Sequence, residues 1–309
     1  MQRVFLYIFI ITSLNFNAQK SDSISGVFKA KLEELKSLQR IVFYSKKETE
    51  RFAANKDLIK AIETIAGSKL AMDFPFDSLK DISTQYPKNK KFKLITWNIP
   101  KDDETHFFFG FLLVNNSKKV KKGLFNHKTT TNYEYFKLVD KSRTVKSPET
   151  YIGTPDKWFG MLYYDLIECE DYYTLLGWDG NDKLVQRKFI DVLYFKTDGT
   201  PVFGKDVFKF PRKNPKRLMF EYSSEVTMSL KYNNKANSIV YSHLAPREEG
   251  HVMEGLFQYY GPDGSYDSMI QKKGKWVVSE DVDARNPKNK NDKADKPDPD
   301  KQTPIYKPK

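Results

Sequence analysis

Residues 192–203 read Val192-Leu193-Tyr194-Phe195-Lys196-Thr197-Asp198-Gly199-Thr200-Pro201-Val202-Phe203, and this stretch decides the fold class. Two apolar runs flank an Asp-Gly pair. Glycine tolerates the positive φ that a tight hairpin needs, and the aspartate side chain can hold the turn backbone, so the pattern predicts a β-hairpin. The same grammar recurs down the second half of the chain. Val226 to Tyr232 leads through Asn233-Asn234 to Ile239-Val240-Tyr241. Leu256 to Tyr260 leads through Asp263-Gly264 to Ser265-Tyr266. Lys273-Gly274 precedes Trp276-Val277-Val278. Repetition at this spacing predicts an antiparallel β meander, either a sandwich or an open barrel. No fixed repeat period is present, which argues against propeller blades.

Toward the N-terminus the two-residue period continues. Phe92, Leu94 and Thr96 alternate with Lys93, Ile95 and Trp97, and Tyr133 to Val139 is a further strand. His106 to Val114 is a near-continuous apolar run, as expected of a strand covered on both faces. Before residue 91 the period becomes helical. Phe28, Leu32, Leu35 and Val42 share one face, and Leu58, Ile62 and Ile65 share another. Gly67 is placed to end the second helix, and Ser45 or Thr49 to cap the break between the two. The expectation is an α+β, β-dominated chain: a mainly helical segment over 19–90, then an antiparallel β-rich domain over 91–283. Residues 284–309 lack Phe, Leu, Val and Trp and are rich in Lys, Asp, Asn and Pro, which predicts a disordered tail.

Residues 1–18 read as a cleavable signal peptide: Arg3, an apolar run from Val4 to Ile11, and the small residue Ala18 at the exit. That run is too short to span a bilayer, and no later stretch is apolar enough, so no transmembrane segment is expected in the mature chain. Export to the periplasm or beyond follows. The single cysteine, Cys169, allows no intramolecular disulfide, so the fold relies on its core. Carboxylates at Glu168, Glu170 and Asp171 oppose thiolate formation there. The net charge of +12 suits anionic polysaccharide, lipid head groups or cell wall, against the plain alternative of a lysine-rich surface serving solubility. No nucleic-acid recognition motif is present.

Candidate sites are sparse. Trp178-Asp179-Gly180-Asn181-Asp182 resembles the start of a calcium loop, but the twelfth position from Asp179 is Ile190, which cannot coordinate. A turn capping a helical stretch over Lys183–Arg187 is the expectation, with no metal and no cofactor. Asp165, Glu168 and Asp179 are the carboxylates a glycoside hydrolase could use. His243 follows a strand and could act as a base, although no Gly-x-Ser-x-Gly elbow accompanies it. Trp158 and Trp178 border glycine-containing loops and could stack on sugars. The binding candidates are therefore Trp158, Trp178, Asp179 and His243.

Several stretches between about residues 90 and 285 resemble a family of exported Bacteroidota proteins of no assigned activity. They are Phe92-Lys93-Leu94-Ile95-Thr96-Trp97-Asn98, Trp158 to Tyr164, Leu175-Leu176-Gly177-Trp178-Asp179-Gly180-Asn181, Phe220-Glu221-Tyr222-Ser223 and Tyr260 to Asp267. The resemblance implies compartment and architecture only, with O-glycosylation conceivable at Ser23, Ser78 and Ser268. The functional expectation is a non-catalytic envelope protein that binds an envelope protein or an anionic polysaccharide. The alternative is a carbohydrate-active hydrolase using paired carboxylates.

Overall fold

The computed structural model describes residues 26–116, 118–121, 127–130, 133–210, 213–247 and 255–279. The signal-peptide and C-terminal-tail expectations lie outside them. Two helices open the fold, α1 over 26–44 and α2 over Glu48–Ala66. Their break is tied by Ser45, whose Oγ accepts the Lys47 N–H at 3.3 Å and donates to Glu50 at 2.6 Å. Gly67 closes α2 in the right-handed region, its N–H reaching Glu63 O at 2.9 Å.

Sixteen strands follow among the described residues. A first sheet has the order β1-β2-β3-β6, formed by Ser83–Gln85, Phe92–Pro100, His106–Asn115 and Tyr133–Leu138. Its β1 lies inside the segment expected to be mainly helical. Strands β4 (Lys118–Lys121) and β5 (His127–Thr130) pair as a small ribbon. The second sheet is a meander of β7 (Leu162–Glu168), β8 (Tyr173–Asp179), β9 (Val185–Phe195) and β10 (Pro201–Phe203). The first half of β9 also pairs with β12 (Leu218–Ser223). The third sheet contains the meander β13 (Leu230–Asn233), β14 (Ser238–Pro246), β15 (Tyr260–Lys272) and β16 (Lys275–Ser279). β11 (Phe208–Lys209) joins β16 and is the one parallel strand pair among the described residues. The sheets stay open and stack face to face.

Alternation along the strands explains the stacking. In β2, Ile95, Trp97 and Ile99 meet the helices, whereas Phe92 and Leu94 face the second sheet. In β3, Phe111 and Leu113 take the helix side, Leu112 and Val114 the other. The run from His106 to Val114 is thus covered on both faces, as its composition predicts. The second sheet is the buried middle: Leu175, Phe189 and Leu193 pack toward the first sheet, and Leu176, Ile190 and Val192 toward the third. The order of layers is helices, first sheet, second sheet, third sheet. Each fully buried Leu, Ile or Phe contributes about 1.5–3 kcal/mol, so three such interfaces make disulfide support unnecessary.

Polar handles on buried aromatics pin the layers together. Trp97 Nε1 donates to Asn55 on α2 at 2.8 Å, and Trp276 Nε1 donates from β16 to Thr174 on β8 at 2.9 Å. Trp158 is fully buried between the first and second sheets and donates to Tyr163 Oη at 3.2 Å, and Tyr163 donates to Asp191 at 2.7 Å. Asp191 also accepts Arg217 Nε at 3.0 Å, both side chains being fully buried. Arg217 Nη1 holds Pro148 O and Tyr151 O at 2.7 and 3.0 Å, fastening the loop that carries them.

Four local expectations are corrected. Lys183–Arg187 is no helix: Val185 begins β9, and Asp182 accepts the N–H groups of Leu184 and Val185 at 2.8 and 3.0 Å in a hairpin turn. Asp263-Gly264 makes no hairpin either. It lies inside β15, opposite a register shift between Ser242 and Leu244, and Gly264 takes φ +94° there. A bulge built on glycine takes a positive φ as a tight turn does, so the local signal is the same. Finally, Phe257–Tyr259 is a 3₁₀ turn before β15, and β13 begins only at Leu230. The pairs at Asp198-Gly199 and Lys273-Gly274 do form hairpins, with Lys273 and Gly274 both at positive φ.

Candidate functional site

The β8–β9 hairpin carries Trp178 and Asp179 to one end of the middle sheet, where the start of β3 brings His106. Asp179 pairs directly across the strands with Arg187. Asp179 is 5% exposed, and its carboxylate accepts the Asn181 N–H at 2.7 Å and lies 3.8 Å from Arg187 Nη1. Burial raises its pKa to about 6, with the nearby charges of Asp140 and Asp182 adding to the rise against Asn181 and Arg187. Arg187 is shared, because its Nε donates to Glu221 at 2.8 Å.

His106 is wedged beside this carboxylate. Its ring meets Trp178 edge-on, centroids 5.3 Å apart, and stacks near Phe108 at 6.3 Å. The Asn98 amide nitrogen lies 2.9 Å from Nδ1; with that amide as donor, Nε2 holds the imidazole proton. Burial lowers the pKa of His106 and favours its neutral form. Gly180 is required beneath the ring, since a Cβ there would overlap Nε2. Trp178 is anchored in turn by Nε1 donating to Gln186 at 3.2 Å.

The opposite wall is a 3₁₀ turn, Ser142–Thr144. Asp140 builds it by accepting the N–H groups of Ser142 at 2.8 Å, Gly160 at 3.1 Å and Phe108 at 3.4 Å. Arg143 leaves this turn, covers the Phe107 ring at 4.1 Å, and donates to Thr105 Oγ1 at 2.9 Å. Between the walls lies a cleft of about 230 Å³ that includes His106, Arg143, Asp179, Asn181, Asp182 and Arg187 in its lining. It offers a buried acid near its midpoint, a neutral imidazole and two guanidinium groups, a set suited to holding a polar or acidic ligand.

The candidate residues separate in space. Asp179 lines the cleft and Trp178 supports it. Trp158 is sealed in the core, where its ring packs between sheets and reaches no ligand. His243 stands on the third sheet, exposed, 2.8 Å from Asp267, which raises its pKa chiefly through that hydrogen bond. Asp165 pairs with Leu176 and shares its face, toward the third sheet and away from Asp179. Glu168 pairs with Tyr173 at the far end of β8, about 20 Å along the strand, and accepts the Lys88 N–H. These three carboxylates do not converge. Ser78 is exposed, Ser268 is 2% exposed and closed to modification in the folded state, and Ser23 lies outside the described residues. No group of three or more His, Cys, Asp or Glu side chains among the described residues could hold a metal ion. Cys169 is half-buried, and burial raises its thiol pKa.

His106, Asp140, Arg143 and Arg187 were not singled out by the sequence as a site, because they come from three separate segments. The only local signal was the Trp178–Asn181 loop. With the geometry in place, the class it defines is a layered β-rich protein with a polar cleft at the end of its middle sheet. No family model, curated protein or solved structure matches the chain. No helix among the described residues is long and apolar enough to cross a membrane.

Proposed function

We propose that this is an exported, non-catalytic protein of the cell envelope, periplasmic or secreted, that binds an envelope protein or polymer through the cleft at Asp179. The observation that carries the reading is the convergence of Arg143, Arg187, His106 and Asp179 around one open cavity. Guanidinium groups recognise carboxylates and phosphates with directed hydrogen bonds, and Asn181 lines the same cavity with a polar side chain. Crosslinking in intact cells, followed by capture and mass spectrometry, tests it. Reproducible neighbours that disappear with Arg143→Glu support the reading. Turnover of an envelope substrate by the purified chain, abolished by Asp179→Asn, overturns it.

A carbohydrate-active hydrolase is the second reading, and Asp179 favours it. A carboxyl held at about 6 is in the range where an acid can donate a proton near neutral pH. The binding reading leads because the other acids here are engaged: Asp140 accepts three backbone N–H groups, and Asp182 accepts the N–H groups of Leu184 and Val185 and the Asn181 amide. Hydrolysis of a glycoside needs a second, available carboxylate across the scissile bond.

A further inference from the structure

On the far side of the Ser142–Thr144 turn lies a second, larger depression of about 650 Å³, within the roughly 300–1,000 Å³ typical of ligand pockets. Its lining includes Lys141, Lys146 and Lys157 and no carboxylate. Asp156 is near enough to feel Lys157 and Lys141, but its carboxylate accepts a hydrogen bond from Thr154. Hydroxyls of Thr144, Ser147 and Thr150 sit among the lysines. Tyr151 gives the groove a fixed aromatic wall: its Oη donates to Lys157 O at 2.8 Å, and Arg217 packs 5.8 Å from the ring centre. The loop itself is held by Arg217 through the Pro148 and Tyr151 carbonyls, so the groove is a built surface. The turn stands between groove and cleft: Ser142 and Arg143 line the cleft, Lys141 and Thr144 the groove.

We propose that the groove and cleft together form a track for a carboxylate-bearing polysaccharide, an inference that rests on the binding reading above and names its ligand class. Lysines spaced around a groove neutralise successive acid groups of a chain, hydroxyls and an aromatic face suit pyranose rings, and Arg143 receives the next carboxylate across the turn. Neutral sugar alone would leave the three ammonium groups without partners. A nucleic acid could use both the lysines and the hydroxyls, so the titration includes one.

The test is calorimetric titration of the full mature chain with polygalacturonate oligomers, neutral dextran and a single-stranded DNA oligomer. The triple variant Lys141→Glu, Lys146→Glu, Lys157→Glu is compared with a control of equal charge change, Lys29→Glu, Lys46→Glu, Lys56→Glu, on exposed positions of the helical segment. All variants are checked for an unchanged circular dichroism spectrum. The expected result is polygalacturonate binding, absent for dextran, that weakens tenfold or more in the groove variant, about 1.4 kcal/mol, and little in the control. Equal losses in both variants would overturn the track in favour of general charge attraction. Binding of dextran alone, or DNA binding at least as tight and equally sensitive to the groove variant, would also overturn it while the binding reading stands. Polygalacturonate binding accompanied by new reducing ends would keep the track and remove the non-catalytic reading instead.

Discussion

Asp179 shows how one buried acid couples structure to pH. Its carboxyl is raised from 3.8 to about 6, so between these values the folded chain holds a proton that the unfolded chain has released. Stability from this group is therefore full below about pH 4 and is lost as pH rises through 6. Each unit of pKa difference is about 1.4 kcal/mol, which puts the loss on the order of 3 kcal/mol. Asp179→Asn removes the charge but keeps an oxygen for the Asn181 N–H. The expected outcome is a higher Tm at pH 7 than the parent and a flatter stability profile from pH 4 to 6, read by thermal melts across pH. A parent profile already flat in that window would contradict the assignment. Gly180 makes a second residue-level case. Gly180→Ala forces His106 off Asn98 and Trp178, and overpacking of this kind costs about 1–3 kcal/mol. Urea unfolding reads the cost, and loss of ligand capture alongside it would show that the ring shapes the cleft.

Among the elements, the β15 bulge separates what local patterns can say from what they cannot. Nothing lies within 4 Å of a Cβ built on Gly264, so Gly264→Ala should cost only the backbone penalty of a positive φ, about 1–2 kcal/mol, measured by urea unfolding. A negligible cost would mean that the strand straightens there. Asp263-Gly264 and Asp198-Gly199 look alike in sequence, yet one bends a single strand and the other reverses the chain. The difference is set by β14, which is long enough to pair on both sides of Gly264, and pairing partners are invisible to a local reading. Helices at Leu35 and Leu58 and the doubly covered run at Leu112–Val114 were legible because burial follows from periodicity on one element. Lys183–Arg187 misled because its polar residues form a turn and the start of β9, where Arg187 faces the cleft, not a helix surface. The site was legible only at Trp178–Asn181. Arg143 and Arg187 carry no local signature, since the chemistry arises when a turn after β6 meets the β8–β9 hairpin.

At the scale of the whole molecule, the middle sheet decides how the protein unfolds. Both of its faces are buried, one against Leu94 and Leu112 of the first sheet, the other against Met228, Ile239 and Met269 of the third-sheet side. Detaching the helices with the first sheet would expose Leu175, Phe189 and Leu193; detaching the third sheet would expose Leu176, Ile190 and Val192. Either loss strips a full apolar face, so partial unfolding is disfavoured and a single cooperative transition is expected. Leu58 in α2 and Met269 in β15 are both fully buried but sit in the outermost cores on opposite sides. Leu58→Ala and Met269→Ala should each cost about 2–5 kcal/mol and move the same transition, seen together by calorimetry and near-ultraviolet circular dichroism. Trp97 reports on the helix side and Trp276 on the third sheet, so the probes sample both ends of the stack. Independent layers would instead give two transitions, one moved by each substitution, and the middle sheet would then be two surfaces in contact rather than the shared core that holds the cleft.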